Sequence, residues 1–150
     1  INEIIHIFMT PPEAERDVLY VKKLYTGTTD LECVWTGKRL KNKFDVDHAI
    51  PFSIRHDNSL WNLFPVDPMA NKKKGDCLPS QRLVERNRNI MIYYWELLNQ
   101  HLHEIFKTDF TRFTGKEDMR TDNWKNVLFW TFSETVETTA ARRGVDRWEP

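Results

Sequence analysis

The sequence has little cysteine. Cys33 and Cys77 are its two among 150 residues, and neither sits in a Cys-x-x-Cys pair. Two isolated thiols build neither a disulfide framework nor a zinc ribbon. They fit a reducing, cytoplasmic setting. Long apolar runs are missing too. None approaches the roughly 18 residues that a membrane-spanning helix needs, so no membrane partner is expected. There is no secretory signal with a basic start and an apolar stretch, no internal repeat and no low-complexity tract. The chain starts at Ile1 rather than Met, which is the expectation for a fragment or processed piece whose missing part carries targeting or recognition.

Net charge is absent as well, with 22 Lys and Arg against 22 Asp and Glu. Its distribution is uneven. Residues 31–89 carry 11 basic and 7 acidic side chains, and the remainder carries 11 and 15. A basic middle between acidic ends is compatible with a local polyanion site. What the chain does have is apolar material, 40% of residues with 13% aromatic, enough for one ordinary domain core.

Three segments follow from the pattern, within a single domain over 1–150. Residues 1–30 hold an apolar run at 4–9 and then a helix start. There Thr10 caps, Pro11 suits the first turn and Glu13 completes a capping box. Ala14, Val18, Val21 and Tyr25 follow at helical spacing, and Gly27 is the stop. Residues 31–79 read as a strand at 31–35, a turn at 36–38, a second strand at 43–50, loop over 53–68, and a short basic helix ending at Gly75. Residues 80–150 read as helices. Ser80 caps an apolar face running to Phe106 for about seven turns. Residues 107–121 form a polar connection. A last helix runs over about 123–141 with Asp122 as cap, and Trp148 packs as an anchor. The Tyr93-Tyr94-Trp95 run reads as core.

The polar residues of the middle segment carry the chemistry. Asp45-Val46-Asp47-His48 ends a strand near Pro51, and Asn71-Lys72-Lys73-Lys74 follows. The Asp47 carboxylate and the Asn71 amide oxygen are hard ligands suited to Mg²⁺ or Mn²⁺. A neutral histidine beside them, His48, can take a proton from water near pH 7. Successive lysines attract a phosphodiester backbone. The blander readings are a helix cap for Asn71 and a solvated surface for the lysines. His101 and His103, two apart on a helix, point in different directions and do not form a metal pair.

The ordered set Asp47-His48, Ile50-Pro51, Asn62-Leu63 and Asn71-x-x-Lys74, preceded by Cys33-Val34-Trp35-Thr36-Gly37, resembles the HNH endonuclease family over about residues 31–79. The resemblance implies an α+β fold, a ββα-metal finger embedded among flanking α-helices. It implies a metal-dependent endonuclease that nicks DNA to leave 3′-OH and 5′-phosphate ends. His48 would be the general base, Asp47 and Asn71 the ligands of Mg²⁺ or Mn²⁺, and Asn62 the brace of the loop. Lys72, Lys73 and Lys74 would contact backbone. Lys38, Arg39, Lys41 and Lys43 would extend that surface, as would Arg82, Arg86 and Arg88. Thr36 stands where many family members have a second cysteine, so no structural zinc is expected and the flanking helices brace the finger instead. Prokaryotic defence against foreign DNA is the expected setting. RNA stays open as a substrate, as do an oligomer and an activating domain or subunit. A nucleic-acid-binding module with an inactive finger and a toxin-type nuclease held by a partner are the competing readings.

Overall fold

A computed structural model describes residues 13–150. The apolar run at 4–9 and the helix start at Thr10 and Pro11 lie outside the described residues. The chain opens with helix α1 (Glu13–Thr26), followed by strand β1 (Asp45–His48), a short helix α2 (Phe52–Arg55) and a 3₁₀ turn (Leu60–Asn62). Strand β2 (Leu63–Val66) and helix α3 (Pro68–Lys74) complete the middle. Strand β3 (Leu78–Pro79) leads to helices α4 (Gln81–Arg86), α5 (Arg88–His101), α6 (His103–Thr114) and α7 (Asn123–Arg143), and β4 (Arg147–Trp148) closes the chain. The architecture is α+β, a ββα unit set among helices.

The finger's hairpin differs from the expected one. β1 pairs antiparallel with β2, Asp45 opposite Val66 and His48 opposite Leu63, so the second strand lies inside the stretch read as loop. β2 is Leu-Phe-Pro-Val, buried at every position. Burial on both faces removes the alternation that marks a half-exposed strand. Residues 31–35 are not a strand. They contribute one isolated bridge, Glu32 to Arg39, and then a tight turn. In it Gly37 N–H donates to the Cys33 carbonyl at 2.9 Å and Cys33 N–H to that of Lys38 at 2.8 Å. Gly37 has φ 72°, the left-handed region that glycine enters without steric cost.

The turn is held from outside by neighbouring elements. Val34 N–H donates to the Pro65 carbonyl at 3.0 Å. Asn87 Nδ2 donates to that of Trp35 at 2.9 Å. Asn87 sits at the break between α4 and α5, where the sequence pattern predicts an unbroken helix. A second break falls at Leu102 (φ −129°, ψ 46°), and helix then continues to Thr114 through part of the expected polar connection. The turn lets α6 bring the buried Asp109 carboxylate to the Leu60 N–H at 2.9 Å.

Caps explain the local starts. Asp67 accepts from Ala70 N–H, with Pro68 in the first turn of α3, and Ser80 accepts from Leu83 N–H at α4. Asn71, four residues after the Asp67 cap, therefore lies within α3 rather than at its end. Asp122 precedes α7 without making a side-chain cap bond.

One apolar core gathers Trp35, Trp61, Trp95, Phe64 and Phe132 between the finger and the helices. Trp61 stacks on Phe113 at 3.8 Å, and Trp95 Nε1 donates to the Trp61 carbonyl at 2.9 Å. Tyr94 and Trp95 are buried but Tyr93 is 46% exposed, so the predicted aromatic core loses one member. Tyr25 of α1 donates from its hydroxyl to the Leu63 carbonyl at 2.9 Å, tying α1 to β2. Burial pushes that hydroxyl's pKa well above the ordinary tyrosine value. β4 pairs in parallel with β3, and Trp148 packs against the core. Among the described residues, no helix is long and apolar enough to cross a membrane.

Candidate active site

Strand alternation puts Asp45 and Asp47 on one face of β1, and α3 packs against that strand. Asn71 and Lys74, three apart on α3, share a helix face. The two spacings mesh as a ladder. Asn71 Nδ2 donates to Asp45 Oδ2 at 3.0 Å, and Lys74 Nζ meets Asp47 Oδ2 at 3.1 Å.

Lys74 is wholly buried, its side chain 0% exposed. Its ammonium also donates to the His48 carbonyl at 3.1 Å. This corrects the expectation that it contacts a nucleic-acid backbone. Helix geometry turns the third lysine of the run inward while Lys72 and Lys73 stay exposed. Asp47 receives a further bond from Trp35 Nε1 at 2.9 Å.

Asn62 is fully buried. Its Oδ1 accepts from Ile50 N–H at 2.8 Å, and its Nδ2 donates to the carbonyls of Ile50 at 3.0 Å and Asp57 at 3.1 Å. One side chain thus spans the loop after β1. Arg55 adds a second clamp. Its guanidinium lies 5.6 Å over Trp61 and 5.3 Å over Phe113 and its Nε bonds Asp57 at 3.0 Å. Burial raises the Asp57 pKa, but hydrogen bonds from Ser59 and Arg55, with the charge of Arg55, outweigh it. The carboxyl lies below its ordinary value.

His48 ends β1, partly buried. Its Nε2 lies 2.5 Å from Asn58 Oδ1 and its ring centre 5.4 Å from that of Phe52. Sequence reasoning missed Asn58 and Asp45. The only available signal for Asp45 was its two-residue spacing from Asp47.

The donor set suits a hard divalent cation. Asp45 and Asp47 are hard oxygen donors on one face of β1, with Asp47 paired to the Lys74 ammonium and Asp45 bonded by Asn71. The Asn71 bond to Asp45 uses its nitrogen, so its amide oxygen is turned away from that carboxylate. Among the described residues no three His, Cys, Asp or Glu side chains converge on a metal position. A cation here would have few protein donors, the arrangement Mg²⁺ accepts. Cys33 and Cys77 are free thiols.

The remaining basic residues separate into groups. Lys38 reaches Asp67, the cap of α3, at 3.4 Å. Arg39 pairs with Asp30 at 2.7 Å. Arg82 pairs with Glu149 at 2.7 Å. Lys41, Lys43, Arg86 and Arg88 are exposed, with Arg88 4.7 Å over the Phe129 ring. His56, His101 and His103 are exposed.

Comparison with known proteins finds similarity to endonucleases. A family model described as HNH endonuclease matches residues 33–80. The chain is 41% identical over 59 residues to CRISPR-associated endonuclease Cas9 1 of Streptococcus thermophilus, covering 34% of this chain and 5% of that protein. It is 35% identical over 92 residues to CRISPR-associated endonuclease Cas9 of Listeria innocua, covering 59% of this chain and 6% of that one. The chain thus matches only a small fraction of the length of these relatives. No solved structure matches it significantly.

Proposed function

We propose that the chain, whose residues 33–80 match an HNH endonuclease family model, hydrolyses phosphodiester bonds of DNA, one strand at a time, at a site formed by Asp47, His48 and Asn71. The observation that supports this reading is the match of residues 33–80 to an HNH endonuclease family model, a segment that contains Asp47, His48 and Asn71 and in which α3 packs on β1. Asp47 and Asn71 would hold a divalent ion, Mg²⁺ or Mn²⁺, through their side-chain oxygens. When bound, the ion supplies Lewis-acid polarisation of the scissile phosphate and stabilises charge on the leaving 3′ oxygen. His48 accepts the proton of the attacking water. Asn62 keeps the loop after β1 closed, and with it the orientation of His48. Lys72 and Lys73, with Lys38, position the backbone. Lys74 serves inside, as the counter-charge of Asp47.

The products are 3′-OH and 5′-phosphate ends. The relatives' names, CRISPR-associated endonuclease, support a setting in defence against foreign DNA. With no net charge, the chain by itself binds DNA weakly, and a further domain or subunit supplies affinity.

The test is supercoiled plasmid, linear duplex DNA and single-stranded RNA, each with the chain in Mg²⁺, Mn²⁺ or EDTA. The reading expects open-circle plasmid with metal, none with EDTA, and ligatable nicks. Retention of DNA without cutting under every condition would instead support a binding module with an inactive finger. Preferential cutting of RNA would overturn the substrate.

A further inference from the structure

His48 has two ring nitrogens, and its role as a base requires one of them to carry a lone pair toward water. We infer that Asn58 is the residue that decides which. This rests on the reading of His48 as the base.

Asn58 Oδ1 stands 2.5 Å from His48 Nε2. An amide oxygen only accepts, so the hydrogen in this contact belongs to Nε2. A neutral imidazole has a single N–H, and the lone pair is therefore on Nδ1. The acceptor is itself held in place by its neighbours. The preceding residue, Asp57, accepts at its carbonyl from Asn62 at 3.1 Å and at its carboxylate from Arg55 at 3.0 Å. Asp57 Oδ1 accepts from the N–H of the following residue, Ser59, at 2.8 Å. Asn58 is thus pinned on both sides. The Phe52 ring, 5.4 Å from that of His48, limits rotation of the imidazole. Asn62 acts on His48 through this chain of bonds, and Asn58 is its last link. Asn58 is a positioning residue: it fixes the ring's tautomer and orientation and touches no reacting atom.

The experiment uses nitrogen-15-labelled chain at a pH where His48 is neutral, reading its two ring nitrogens by long-range proton–nitrogen NMR. Wild type should show Nε2 protonated and Nδ1 bare. Asn58→Asp keeps the acceptor and should keep that pattern. Asn58→Leu should give a mixture of tautomers. In plasmid nicking, kcat of Asn58→Leu should fall by about 10–100-fold, as when the outer partner of an oriented histidine is removed, with KM changed less than about twofold. A wild-type His48 protonated on Nδ1 would overturn the inference outright, whether or not Asn58→Leu folds. So would a folded Asn58→Leu with unchanged tautomer and kcat. A chain that cuts no DNA would fail the nuclease reading, while the NMR measurement would still decide what Asn58 does to the ring.

Discussion

Asp47 and Lys74 form a buried ion pair at 3.1 Å, joining the end of β1 to the last turn of α3. The pair explains why one lysine of three is withdrawn from the surface. Removing it by Lys74→Met leaves the Asp47 carboxylate buried with Trp35 as its remaining donor. Breaking such a pair from one side costs about 3–5 kcal/mol. Urea denaturation at neutral pH should show a loss of about that size. Asp47→Asn with Lys74→Met should cost less than the sum of the two single changes.

Asn62→Ala should remove three hydrogen bonds from a wholly buried side chain and leave Ile50 N–H unpaired. The expected loss is about 2–3 kcal/mol, since an orphaned buried donor costs about 1–3 kcal/mol by itself. Asn62→Asp should not restore stability, because a carboxylate cannot donate to the Ile50 and Asp57 carbonyls. Chemical denaturation of the three proteins checks both statements.

Acid should loosen the loop through Asp57. Its folded pKa lies below the ordinary carboxylate value of 3.8. Its contribution to stability is therefore complete above the unfolded value and is lost as pH falls through the lower folded one. Asp57→Asn should be less stable than wild type at pH 6, and the gap should narrow below pH 3.8. A gap independent of pH would remove Asp57 from the account.

Lys72 and Lys73 should carry backbone contacts that Arg82 does not. Replacing both lysines by alanine should weaken binding uniformly across DNA sequences. It should also reduce the slope of log K against log salt by about 2, near 0.9 per phosphate contact. Arg82→Ala, whose guanidinium is engaged by Glu149 at 2.7 Å, should leave the slope nearly unchanged. Fluorescence anisotropy over a salt series measures both.

The sequence made the polar motif legible because its residues are chemically rare together: Asp47-His48, Asn62, and Asn71 before lysines. The hairpin that carries them was less legible. β2 includes Pro65 and is buried throughout, so it shows neither alternation nor ordinary strand composition. Cys33-Val34-Trp35 is apolar because it packs as a turn under the finger, and that composition imitates a strand. The break at Asn87 answers to a hydrogen bond with Trp35, 52 residues away, which no local pattern encodes. The fate of Lys74 depends on helical phase against β1, and three adjacent lysines read alike until the partner strand is known. The bond between Asn58 and His48 likewise depends on loop closure by Asn62.

The central claim is that His48 does the proton chemistry at a site whose metal is held by other residues. Its most direct test is single-turnover nicking of supercoiled plasmid by wild type and His48→Ala, with Mg²⁺ binding measured in parallel by calorimetry. The account predicts a loss of about 10²–10⁴ in rate, the usual contribution of a general base, with Mg²⁺ affinity essentially unchanged. A His48→Ala protein that nicks at the wild-type rate would contradict it.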